Sequence, residues 1–186
     1  LLGEVLITAH SASRRIVIMM LQPIMTMAAA NMTFVGQNYG AGKMDRIRPA
    51  VRLTMLMEIV WCLFAAAVVF LFGEQLIRFT TGTTNSEVLQ NAVLSLRIQF
   101  VIYPVLGVLF CYRNTLQGMG QKVVPVLSSC IELGMKLLAA GWLIPKLGFI
   151  GVCITEPVTW ALMVIFLASA YAVLQKKWFA VESVGQ

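Results

Sequence analysis

Residues 16–42 read IVIMMLQPIMTMAAANMTFVGQNYGAG, 27 positions without one charged side chain. An α-helix needs roughly 20 apolar residues to cross the hydrocarbon core of a bilayer, so this run reads as a membrane span with length to spare. The remainder of the chain has the same character. Of its 186 residues 59% are hydrophobic and 12% charged, about half the charge share of a soluble domain. The charges collect between long apolar stretches instead of lining one polar helix face. A net charge of +6 would suit nucleic acid only if basic residues converged on an exposed face with aromatics for stacking. Here Trp61, Phe64, Phe70, Phe100, Phe110 and Trp160 lie inside apolar runs, so no nucleic-acid partner is expected.

Five apolar segments follow one another, at 5–37, 47–72, 88–117, 123–144 and 149–174. The connections between them are short: GAGKMDRI, GEQLIRFTTGTTNSE, GMGQK and PKLG. Brief connections make neighbouring helices antiparallel, which predicts an all-α polytopic bundle of about five spans over 1–175 and a tail at 176–186. Alternate connections share a side of the bilayer. Lys43, Arg46, Arg48, Arg52, Arg113, Lys122, Lys176 and Lys177 fall on one side, with Trp178 as an interfacial anchor, against Arg78 and Lys146 on the other. The positive-inside rule makes the first side, and the C-terminus, cytoplasmic, in a multi-pass protein of the inner (plasma) membrane. The opening Leu1-Leu2-Gly3 has neither an initiator methionine nor a secretory signal, so the sequence is expected to be part of a longer chain. Cys62, Cys111, Cys130 and Cys153 are far apart in apolar surroundings and are expected to be buried free thiols. Neither metal-ligand spacing nor a disulfide framework is visible.

The glycine-rich stretch FVGQNYGAGKMDRIR, 34–48, invites comparison with a phosphate-binding loop. A P-loop needs four residues between its glycines and Ser or Thr after the lysine. Here five residues separate Gly36 from Gly42, and Met44 follows Lys43. The dinucleotide pattern would need a glycine at Asp45 and a preceding strand. A structural elbow fits better. Gly36 and Gly40, one turn apart with Gln37 between them, allow close helix approach. Gly42 ends the helix, Asp45 caps the next one, and Lys43, Arg46 and Arg48 hold the turn on the cytoplasmic side.

FVGQNYGAGKMDRIRPAV at 34–51, together with YRNTLQGMGQKVVP at 112–125 and IPKLGFIGVCITEPVTWALM at 144–163, resembles the multidrug and toxic compound extrusion (MATE) family across nearly the whole chain. Members have twelve helices in two bundles, so the resemblance implies helices eight to twelve of a two-bundle transporter. The first helix of this bundle and the whole amino-terminal bundle would then be missing. It also implies cation-coupled antiport of drugs or other small organic compounds, with no enzyme activity, no catalytic or metal-binding residues and no cofactor. Some members carry a carboxylate on the helix matching 88–117. This one has Arg97, Gln99 and Tyr103 and no acid after Glu87, so the coupling ion, Na+ or H+, is expected to bind mainly in the missing half.

Polar groups within spans are the candidates for a transport cavity: Asn31, Glu58, Gln99, Tyr103, Glu132 and Glu156. A charge at mid-span costs roughly 2.5 to 3.5 kcal/mol of insertion energy, so Glu58 should face protein or water. Glu132 and Lys136 are four apart and can pair. In Glu156-Pro157 the proline leaves a carbonyl unpaired one turn earlier, beside a carboxylate. Gln22-Pro23 and Tyr103-Pro104 mark further kinks. Arg14 and Arg15 point about 100° apart on a helix, and His10 has no visible partner. The methionines clustered at 19–57 suit a permissive cavity or lipid-facing packing. Alternative readings are a flippase for lipid-linked saccharides, with Arg14, Arg15 and Arg97 making a basic lumen, and a scaffold without transport. An intramembrane enzyme would need Glu58, Glu132 and His10 to converge.

Overall fold

The computed structural model describes residues 3–83 and 85–182, the side chains of 177–182 excepted. Those of Lys177 and Trp178, and residues 183–186 of the expected tail, lie outside the described residues. All regular structure among the described residues is helical, with no strand: α1 (Glu4–Gly40), α2 (Met44–Thr81), α3 (Ser86–Val101), α4 (Tyr103–Gly118), α5 (Val123–Leu138), α6 (Ile144–Leu147) and α7 (Phe149–Glu182), with a π-helical turn at Ala139–Leu143. By length and composition Glu4–Gly40, Met44–Thr81, Val123–Leu147 and Phe149–Lys176 can each cross a membrane. The bent pair α3–α4 passes the same test when taken together, which would bring the spans to five.

Two of the breaks follow from prolines, while α2 also kinks at Phe72 (φ −122°, ψ 15°), just before Gly73 and with no proline near it. Pro104 cannot donate its backbone nitrogen and crowds the preceding turn, so the helix stops at Ile102 (φ −103°, ψ 7°) and restarts 52° away. Pro145 would clash with the Gly141 carbonyl one turn earlier. The π-turn at Ala139–Leu143 absorbs that clash and keeps the span continuous. Pro23 leaves α1 unbroken although it loses a hydrogen bond there. Trp61 Nε1 donates to the Met20 carbonyl on the same stretch at 2.9 Å, tying α2 to α1. Trp61→Phe keeps the ring and loses that bond, and is expected to cost about 1 kcal/mol, read as a lower unfolding midpoint in detergent.

The elbow between α1 and α2 is a Schellman turn. Lys43 N–H donates to Asn38 O at 2.8 Å and Gly42 N–H to Tyr39 O at 3.1 Å, a geometry that needs a left-handed residue at the turn. Gly42 supplies it with φ +70°. Two expectations for this turn are corrected. Asp45 is not the cap: that position belongs to Lys43, which makes no side-chain cap bond. The turn winds so tightly that Asp45 already sits in the first turn of α2, where its charge meets the helix dipole. Gly40 makes no close approach either, since a Cβ there would meet nothing within 4 Å. α1 and α4 run side by side in parallel, as the pairs Val17–Tyr103 and Asn31–Thr115 show, and α4 has ended before Gly40 is reached. The close contact is one turn back. A Cβ on Gly36 would lie 3.2 Å from Gly118 O, and one on Gly118 would lie 2.5 Å from Met32 O.

The interior divides into two apolar clusters. One lies away from the elbow, built around Ile16, Ile24, Leu96, Phe100 and Tyr103. The other lies toward it, around Val35, Ile47, Leu109, Leu116 and Met163. Helix α4 belongs to both and connects α1 and α2 to α7. Large apolar side chains such as Leu53, Leu63, Leu71, Leu133, Leu137 and Ile165 point outward and are exposed, the surface of a bundle solvated by lipid. Met19, Met25 and Met57 are among these outward residues. Cys62, Cys111 and Cys153 are buried, whereas Cys130 is exposed. That corrects the expectation of four buried thiols, because Cys130 falls on the outward face of α5.

Candidate functional site

Polar side chains from four helices meet in a cleft of about 170 Å³ between α1, α4, α5 and α7. Arg14 of α1 reaches Glu156 of α7 with Nη1 and Oε1 2.5 Å apart. On α5, Lys136 Nζ lies 2.6 Å from Glu132 Oε1, the helical i,i+4 pair. Arg113 of α4 donates to Ser129 Oγ on α5 at 2.7 Å. Phe110, Trp160 and Met163 supply apolar wall. Each charge sits within a candidate membrane span, Arg113 on the α4 half of the bent pair, where ionisable residues turn to the bundle interior or a cavity and meet partners there. The carboxylate beside Pro157 is thus held by an arginine, and α7 runs through Pro157 without a break.

The cleft brings together two of the six cavity candidates, Glu132 and Glu156. The others lie elsewhere. Gln99 is buried and donates from Nε2 to Ser95 Oγ at 3.1 Å, and the same hydroxyl lies 3.1 Å from Ser13 Oγ, which donates to the His10 carbonyl. Tyr103 is buried, its hydroxyl donating to Val17 O at 3.3 Å. Asn31 donates from Nδ2 to Thr115 Oγ1 at 2.8 Å and borders a second groove. Glu58 is 0% exposed and packs against α4, where a Cβ on Gly107 would come within 3.3 Å of its own Cβ. Neither carboxylate oxygen has a hydrogen-bond partner among the described residues.

The second groove, about 770 Å³, lies between α1 and α2 at the elbow end. Met27, Phe34, Leu53 and Met57 line it, together with Asp45 and Arg46. Its walls are the outward apolar faces of both helices. Among the described residues no group of three or more His, Cys, Asp and Glu is placed to hold a metal ion.

Three of the charged residues that build the cleft, Arg14, Arg113 and Lys136, are not among the six cavity candidates, although helical spacing already predicts Lys136 as the partner of Glu132. Arg113 reads in sequence as part of the connection before Lys122, yet it sits inside α4, more than a turn from its end. That removes it from the cations at the elbow end. Its signal is Ser129, a hydroxyl carried back alongside it by the tight turn at Gly120. The pairing of Arg14 with Glu156 joins residues 142 apart in the chain, which no local pattern encodes.

Residues 1–141 match the sequence model of the family described as MatE. The fold is similar to that of a solved structure described as an inward-facing conformation of a multidrug resistance MATE family transporter of the MOP superfamily. The TM-score is 0.73 at 19% identity, over 92% of this chain and 43% of that one. The chain therefore spans less than half the length of the protein it matches.

Proposed function

The chain belongs to the MatE family, and from that premise we propose that it forms the carboxy-terminal bundle of a secondary transporter exporting small organic compounds. The bundle works by alternating access against a second bundle, the missing amino-terminal one, which is its main protein partner. One observation carries this reading beyond family membership: two ion pairs and a further arginine converge on a single cleft within candidate membrane spans. Packing alone has no use for so many charges in lipid, where each costs insertion energy. Export needs no covalent chemistry, and Glu58 and Glu132 do not converge as an intramembrane enzyme would require.

Coupling to Na+ or H+ belongs to the same proposal, with the ion held chiefly by the other bundle. The absence of any Asp or Glu from α3 and α4 after Glu87 supports that division. The cations Lys43, Arg46, Arg48 and Lys122 at the elbow end support a plasma-membrane orientation with that end cytoplasmic. A flippase for lipid-linked saccharides is the second reading, favoured by three bases against two acids in the cleft.

The test is efflux of a panel of fluorescent organic solutes from cells expressing the full-length protein, with the sodium and proton gradients collapsed separately. Extrusion is expected to stop when one of them is removed. Extrusion that survives the loss of both gradients rejects antiport.

A further inference from the structure

The cleft contains one base more than its acids neutralise. Arg14 is paired with Glu156 and Lys136 with Glu132, so both carboxylates are engaged. Arg113, half-buried on α4, donates to the neutral hydroxyl of Ser129 and has no carboxylate partner among the described residues. An organic cation entering here would have to share a carboxylate already engaged by Arg14 or Lys136. An anion would meet a half-buried guanidinium that no carboxylate among the described residues pairs. A guanidinium also offers a planar fork of N–H donors that matches carboxylate and phosphate oxygens two at a time.

The rest of the cleft fits such a ligand. Phe110 and Trp160 form its apolar wall together with Leu106 and Leu109. Its volume of about 170 Å³ is below the range of roughly 300–1,000 Å³ typical of sites that enclose a whole drug-sized molecule. It has room for a head group and the ring or chain next to it.

We propose that this cleft is an anion-recognition subsite, in which Arg113 binds the carboxylate or phosphate head group of an organic acid against Phe110 and Trp160. Its use in export rests on the transporter reading above. Binding itself rests on the cleft alone.

The experiment measures fluorescence anisotropy on the purified full-length protein with two tricyclic dyes of similar size and opposite charge, carboxyfluorescein and rhodamine 6G. Carboxyfluorescein is expected to bind more tightly. Arg113→Gln is expected to weaken it at least tenfold, or about 1.4 kcal/mol, without weakening rhodamine 6G, while Arg113→Lys keeps part of the affinity. Equal or tighter binding of rhodamine 6G to the unmodified protein overturns the proposal, whether or not Arg113→Gln folds. So does an Arg113→Gln protein that melts normally and binds carboxyfluorescein unchanged. Nanodiscs of phosphatidylglycerol, compared with phosphatidylcholine, separate the two sources of such an anion. Displacement of the dye by phosphatidylglycerol alone supports a lipid phosphate at Arg113, and retention of the dye supports a soluble acid. If the dyes bind as expected but proteoliposomes transport no solute, the transporter reading fails and the subsite stands. If proteoliposomes transport solutes but the protein binds rhodamine 6G at least as tightly as carboxyfluorescein, the subsite fails and the transporter reading stands.

Discussion

Glu58→Met raises the stability of the bundle by about 1–3 kcal/mol, the cost of a buried polar group left without hydrogen bonds. The carboxylate is fully buried and bonds to no described residue, so its removal orphans no partner. Methionine has nearly the same length, and its flexible thioether follows the narrow space beside Gly107 and Cys62. Thermal unfolding in detergent reads the change. A lower midpoint for Glu58→Met contradicts the inference that packing here gains nothing from the acid.

Gly118→Leu acts in the opposite direction and more strongly. The first carbon of the new side chain would lie 2.5 Å from the Met32 carbonyl oxygen, well inside contact distance, and the obstacle is helix backbone that cannot rotate away. Overpacking of a core costs about 1–3 kcal/mol even where side chains can yield. A loss of more than about 3 kcal/mol is therefore expected, seen as poor recovery of monodisperse protein or a much lower melting point. Gly40→Leu is the matched control, with open space around the added carbon. It should change stability by no more than about 0.5 kcal/mol. Equal damage at both glycines would show that the α1–α4 contact is not what Gly118 provides.

The helices are legible in the sequence because apolar length alone predicts a span, and every expected segment reappears, although α2 runs on to Thr81 and α7 to Glu182, well past the apolar ends expected at 72 and 174. Tyr103-Pro104 announces the break at Ile102, because the missing donor is a local property. The pair Glu132–Lys136 is legible for the same reason, being set by helical spacing. The cleft is only half legible. Arg14 and Glu156 pair across helices far apart in the chain, and Arg113 looks like a loop residue until α4 is seen to continue past it. The elbow shows the same division. Its turn is readable from Gly42, but the partner of Gly36 is Gly118, and no pattern within 34–48 points there. Nor does sequence reveal that Glu58 lies against Gly107, which depends on the approach of two helices.

The 52° bend at Ile102 bears on how the chain is threaded. Two helices of 16 residues are each about 24 Å long. With one upright and the other leaning by the full bend, together they still rise about 39 Å, more than the roughly 30 Å of hydrocarbon. The pair is thus long enough to traverse the bilayer in one pass, and with that pass the chain makes five crossings. An odd number of crossings puts Glu4 and Lys176 in opposite compartments, so reporter groups fused near these two residues would sense different aqueous phases.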